Sequence, residues 1–338
     1  MIRLFKYIVI LLVLSSCIDD LKIPDNSYRA NFESLWNIVD TRYCYLDYKK
    51  INWDSIYNVY EGRLGSDTID EITFFDAMGE MLAELKDGHV NLYSEFDRSR
   101  YWKWFTDYPD NFNSSLIYSN KYLGENYKIA NGLRYQKIAN GDVGYIYYSS
   151  FGSSFTDINM RYIIQYFTDC QKGLIIDVRD NGGGSADLSF KLASYFFKRD
   201  TVSMYLQHKV GNGHSAFSEP VPMKTKANKK IQWQRPVVIL TNRSSYSATN
   251  LFVCMMKDAP MATIIGDRTG GGGGMPLSNE LPNGWMVRFS ASPMYDGNLN
   301  HIEFGLEPDI RVDLDSADVN KGEDTIIERA IKYLETGQ

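Results

Sequence analysis

Cysteine, histidine and long apolar runs are all scarce in this 338-residue chain, and each scarcity closes a class of explanation. There are four cysteines. Cys44, Cys170 and Cys254 sit in apolar contexts without C-x-x-C spacing, which argues against a disulfide framework or zinc site and predicts buried free thiols. His208 and His214 flank a glycine-containing loop without a third ligand, so no metal is expected. Basic residues do not exceed acidic ones: 36 Lys+Arg stand against 42 Asp+Glu, for a formal charge of −6. With no basic stripe either, a nucleic-acid partner is not expected. No apolar run is long enough to cross a bilayer as a mature helix. Repeats and low-complexity tracts are absent. What is present is 44% hydrophobic residues and 24 tyrosines, enough for one large or two modest domains around a real core.

The N-terminus carries a processing signal. Arg3 and Lys6 precede the apolar run Ile8–Leu14, and Ser15-Ser16-Cys17 follows, the layout of an export signal. Leu14-Ser15-Ser16-Cys17 resembles a bacterial lipobox, which implies a signal over 1–17 and a lipidated Cys17. Several acyl chains there would anchor the protein stably. Residues 18–27 then form a tether, and the expected location is the cell envelope, at the outer membrane or cell surface.

Periodicity divides the remainder. Phe32, Leu35, Trp36 and Val39 recur at helical spacing, further helices are predicted over Trp53–Leu64 and Ile69–Leu85, and Lys86-Asp87-Gly88 marks a helix stop. Residues 28–93 thus read as a small helical bundle ending in a strand over His89–Tyr93. Residues 94–140 read as an irregular aromatic-rich connection, with short strands at Ser115–Tyr118 and Tyr127–Ile129. Tyr101, Trp102, Trp104 and Phe105 fit either a cleft lining or core packing. Residues 141–338 alternate strand and helix, with strands over Val143–Tyr148, Gly173–Val178, Thr201–His208, Ile231–Leu240 and Ala262–Ile265. Antiparallel strands are expected at Glu280–Leu281, Trp285–Ser290 and Ile310–Val312. The fold class is α/β, a mixed sheet with flanking helices.

Four segments carry chemistry. In the first, a buried strand runs through a polar turn to Ser247 at a helix start, where free amides and the helix dipole favour negative charge. Such a serine is a nucleophile candidate, although a helix cap is its commoner role. The second, Gly173 to Ser185, enters the loop Asp180-Asn-Gly-Gly-Gly-Ser185, whose amides suit a developing anion. It fails the dinucleotide fingerprint at Asp187. The run Gly270–Gly274 fails the P-loop pattern at Met275-Pro276, so no nucleotide is expected. The third is Leu85-Lys-Asp-Gly-His89, and the fourth His301-Ile-Glu303 to Asp309.

In this order the four segments resemble the family of serine peptidases that includes the C-terminal processing (tail-specific) proteases and tricorn, over essentially everything after Asn26. The resemblance implies a ClpP/crotonase-like core, a polypeptide substrate and no cofactor. It implies Ser247 as nucleophile, and the amide of Ala248 with that of Gly183 or Gly184 as the oxyanion hole. The lysine base of the processing proteases would fall within Gly270–Gly274 and is missing, and Lys257 lies on the wrong side of Asp258 to replace it. The tricorn-like branch uses a histidine supported by a glutamate, positions matched by His89 and Glu303. Tricorn's serine before the histidine is Gly88 here, which leaves open how Glu303 reaches the imidazole. Residues 94–140 are too short for a PDZ domain. The expected function is an exported, lipid-anchored serine endopeptidase. The alternatives are a peptidase-like module that binds peptide or hydrophobic ligands without turnover, and crotonase-like acyl chemistry on the shared core.

Overall fold

The computed structural model describes residues 25–64 and 69–338; the export signal and Cys17 lie outside them. Among the described residues the strands are β1 (Asn91–Tyr93), β2 (Arg98–Arg100), β3 (Lys128–Ala130), β4 (Leu133–Ile138), β5 (Val143–Tyr147), β6 (Gly173–Asp177), β7 (Thr201–Leu206), β8 (Val221–Thr225), β9 (Val237–Thr241), β10 (Ala262–Gly266), β11 (Gly274–Glu280), β12 (Met286–Asp296) and β13 (Ile310–Arg311).

The larger sheet has the order β13-β10-β9-β6-β5-β4-β3. It is parallel from β13 to β5 and antiparallel at β4 and β3. Every residue of β5, β6 and β9 is buried, because helices cover both faces as parallel sheets require. Helices Asp157–Tyr166, Ala186–Ser194 and Ala248–Met256 contribute to one core, and Thr325–Thr336 contributes to the other. Since β6 and β9 are parallel neighbours, the loops leaving them emerge together at the C-terminal ends of the strands, the usual place for a site in such folds. One is the glycine loop after Asp177; the other leads to Ser247.

The second sheet runs β2-β1-β12-β7-β8, with β11 also paired to β12. Its apolar face carries Val287 and Phe289, which pack with Phe32, Trp53, Phe74 and Phe75 of the helical lead-in. This packing fixes β1, and therefore His89 just before it, against the larger unit. Cys44, Cys170 and Cys254 are free and buried.

Several local expectations are corrected. Ser114–Ile117 is a short helix, because the Asn113 side chain accepts hydrogen bonds from the Ser115 and Leu116 amides. β13 is parallel to β10, with Ile265 opposite Ile310. The strand expected over 231–240 is confined to Val237–Thr241, following Pro236, which has no N–H for a ladder. Strands β2 and β4 form within the segment read as irregular, and β8 forms between the strands expected over 201–208 and 231–240.

Candidate active site

Ser247 stands at the N-terminus of helix Ala248–Met256 but does not cap it; its side chain makes no capping bond. Its backbone is held at φ 57°, ψ −119°, a conformation that costs a non-glycine residue on the order of 1–3 kcal/mol and needs support from its surroundings. The Ser247 amide donates to Gly271 O at 2.9 Å, and the Leu251 amide to Ser247 O at 3.0 Å. The preceding Tyr246 amide donates to Asn181 O at 3.1 Å. Freed from capping, Oγ lies 2.8 Å from His89 Nε2.

The glycine loop closes over this serine. Asn181 Oδ1 accepts from the Gly183 amide at 3.0 Å and from Thr249 Oγ1 at 2.7 Å, while Nδ2 donates to Tyr148 O at 2.8 Å. A Cβ on Gly183, whose φ is +100°, would lie 2.9 Å from both Ala248 N and Ser247 Cβ. Only glycine fits such an approach. The Gly183 amide is thus engaged, whereas among the described residues neither the Gly184 amide nor the Ala248 amide donates to a protein acceptor.

His89 is 3% exposed. Burial is the main cause that pulls its pKa from 6.5 down to about 4; Asp87 opposes the shift, and Arg288 and Lys49 add to it. The imidazole is therefore neutral at pH 7, as a base must be. For Nε2 to accept from Ser247, Nδ1 must carry the proton. Among the described residues Nδ1 is buried without a hydrogen-bonded partner, although the Gly274 carbonyl is near enough to favour the protonated ring.

Glu303 and His89 are not in contact by hydrogen bond. Glu303 Oε1 pairs with Lys49 Nζ at 2.7 Å, and Oε2 accepts from the Gly273 amide at 3.0 Å. Lys49 also lies 3.6 Å from Asp87 Oδ2 and donates to Leu85 O at 3.2 Å. Asp87 is fully enclosed: Tyr43 and Ser290 hydroxyls donate to Oδ2 at 3.0 and 2.9 Å, and the His89 amide to Oδ1 at 2.8 Å. Burial, then the Asp87 charge, raise Glu303 from 4.5 to about 7, against the pull of Lys49. Lys49 and Asp87 were not foreseen as part of the site. Asp87 read as a helix stop, and no local pattern ties Lys49 to a glutamate 254 positions later.

The departure at Gly88 has a steric cause. A Cβ there would meet Trp104 Nε1 at 2.6 Å and the Tyr246 hydroxyl at 2.9 Å, so a serine does not fit. Trp104 stacks on Tyr246, which in turn flanks His89, with ring centroids 4.0 and 5.0 Å apart. Tyr101, Trp102 and Trp104 line the cleft of about 330 Å³ that contains Ser247 and His89. Lys257 is turned elsewhere, 2.9 Å from Asp309.

A strained serine against a buried neutral imidazole, with two uncommitted amides beside it at the C-terminal ends of parallel strands, defines a serine-peptidase scaffold. Residues 142–312 match peptidase family S41 and residues 24–83 match the tricorn protease C1 domain; the chain belongs to peptidase family S41. A Parabacteroides merdae protein described as a peptidase shares 49% identity with it, over 92% of this chain and 97% of that one, with a TM-score of 0.87. Mature CPAF complexed with lactacystin has the same fold, with a TM-score of 0.67, 13% identity, and coverage of 92% and 100%. A CtpA-like serine protease of Staphylococcus saprophyticus is 26% identical over 54% of this chain. The chain spans 35% of the length of that relative.

Proposed function

We propose that this protein is an exported, lipid-anchored serine endopeptidase acting on polypeptides of the cell envelope or its surroundings, with Ser247 as nucleophile and His89 as general base. The observation that carries the reading is the 2.8 Å contact between Ser247 Oγ and His89 Nε2, made by a serine that forgoes its cap and adopts a strained backbone to make it. Oγ attacks the scissile carbonyl carbon as its proton passes to Nε2. The oxyanion is received by the amides of Ala248 and Gly184; Gly183 is set aside because its amide is spent on Asn181. Collapse breaks the C–N bond, Nε2 returns the proton to the leaving amine, and water hydrolyses the acyl-enzyme by the same route. Glu303 acts at one remove, holding the Gly273 amide and so the adjoining Gly274 carbonyl beside the imidazole. Labelling with a fluorophosphonate probe tests the nucleophile: wild type should label, and Ser247→Ala should not. Absence of wild-type labelling across neutral pH would overturn the reading.

The anchor rests on the lipobox-like segment ending at Cys17. Mass spectrometry of the mature N-terminus should find a diacylated or triacylated Cys17, and an unmodified start downstream of it would refute the claim.

One observation favours a second reading, a scaffold that binds peptide without turnover: among the described residues Nδ1 of His89 has no hydrogen-bonded partner. Peptide binding without probe labelling would select it.

A further inference from the structure

Among the described residues, the cleft that holds Ser247 is lined by three arginines and by no aspartate or glutamate. Their placement follows from strand register. Asn91 of β1 faces Arg100 of β2 on one side and Arg288 of β12 on the other, so all three side chains share one sheet face. Arg98, two residues before Arg100, falls on that face as well. Like charges gathered on one sheet face repel each other, and among the described residues no ion pair offsets them, although the charge of Asp97 favours Arg100 at longer range. Among the described residues no carboxylate lies within 4 Å of the guanidinium group of Arg98, Arg100 or Arg288, whereas buried Arg179 is paired to Asp177 and Asp324. The nearest acidic neighbour in sequence, Asp97, turns Oδ1 to the Arg98 amide instead.

Two of the guanidinium groups are also arranged for use. Arg100 lies over the Trp102 ring at 4.0 Å and Arg98 over the Tyr93 ring at 5.5 Å. A guanidinium held over a ring keeps donors available to receive a carboxylate through paired hydrogen bonds.

We propose that Arg98, Arg100 and Arg288 form a subsite for a carboxylate of the peptide substrate beside the scissile bond, a specificity element that rests on the assignment of Ser247 as nucleophile. The carboxylate belongs either to an Asp or Glu side chain or to a free peptide C-terminus. A cation cluster of this kind recognises either, and the cleft adjoining it supplies aromatic surface for the flanking residues.

Binding separates this claim from catalysis. Fluorescent octapeptides are titrated into the Ser247→Ala protein in three forms: neutral with an amidated end, neutral with a free C-terminus, and amidated with two internal glutamates. At low salt an acidic form should bind about tenfold tighter than the neutral one, and the advantage should shrink as salt screens it. Preference for the glutamate form names a side-chain carboxylate, and preference for the free end names a terminal one. The advantage should vanish in Arg98→Gln/Arg100→Gln and fall to an intermediate value in Arg98→Lys/Arg100→Lys, which keeps the charge but loses the planar fork. Equal binding of all three peptides, or an acidic advantage untouched by the double glutamine variant, overturns the subsite. Peptide binding abolished by competing phosphatidylglycerol vesicles at every peptide tested, with no acidic preference, would instead assign the arginines to a membrane surface and likewise overturn it. Fluorophosphonate labelling of wild type without acidic preference removes the subsite alone; acidic preference without labelling removes the nucleophile alone.

Discussion

Replacing Glu303 by glutamine should expose a pH dependence of stability that the wild-type protein conceals. Burial and Asp87 lift the Glu303 carboxyl from 4.5 to about 7. Folding therefore takes up a proton between those values, and stability is lost as pH rises from 4.5 through 7. Burial draws His89 the other way, from 6.5 to about 4. The unfolded chain binds that proton first, so stability is lost as pH falls from 6.5 toward 4. Each group contributes a slope of about 1.4 kcal/mol per pH unit, with opposite signs, and the two oppose each other across pH 4.5–6.5. Both side chains are buried, at 5% and 3% exposure, so solvent screening removes little of either. In Glu303→Gln the histidine slope stands alone. Relative to wild type, the variant should lose about 3 kcal/mol between pH 6.5 and 4.5. Urea unfolding followed by tryptophan fluorescence at half-unit steps measures the difference, in which every other titrating group cancels. Two curves that stay parallel within about 0.5 kcal/mol would refute the reasoning.

Three further outcomes follow from the same geometry. Lys49→Met leaves Asp87 and Glu303 buried without their shared cation and should cost about 3–5 kcal/mol in urea unfolding, with part of the loss recovered in Lys49→Met/Glu303→Gln. Gly184→Ala places a Cβ against the Phe151–Gly152 backbone at φ +139°; peptide hydrolysis should fall about 100-fold or more as the oxyanion amide shifts, and unchanged hydrolysis would contradict its assignment. Ser247→Gly should raise stability by about 1 kcal/mol while abolishing probe labelling, since the strain at φ 57° serves chemistry rather than folding.

Much of this was legible in the chain. The glycine-marked end of the lead-in helix, the buried strand into Asp180–Ser185, and the turn into Ser247 are local patterns, and local patterns survive in one dimension. The order of segments then named the family and the two partners that meet at 2.8 Å. What was illegible depends on distant packing. Lys49 ends a four-residue helix, Leu46–Lys49, too short to show periodicity, and its partner comes from the far end of the chain. Glu303 read as support for the imidazole, yet its two oxygens are taken by Lys49 and the Gly273 amide. Arg98 and Arg100 lie in a three-residue strand whose pairing with β1 places them at the cleft, and Arg288 joins them only through the register of β12. The choice between Gly183 and Gly184 required knowing where the Asn181 side chain points. The loss of serine at position 88 became intelligible only with Trp104 and Tyr246 in place.

The central claim is that a buried, neutral His89 activates Ser247. The direct measurement is the second-order rate of Ser247 phosphonylation by a fluorophosphonate from pH 4 to 9, in wild type and His89→Ala. The wild-type rate should hold level above about pH 6 and fall only as pH approaches 4, where the enclosed imidazole takes up its proton. The His89→Ala rate should be lower by about 10³-fold or more at every pH above that limb. A wild-type limb near pH 8–9, as a lysine base would give, or a His89→Ala rate within tenfold of wild type, would contradict the account.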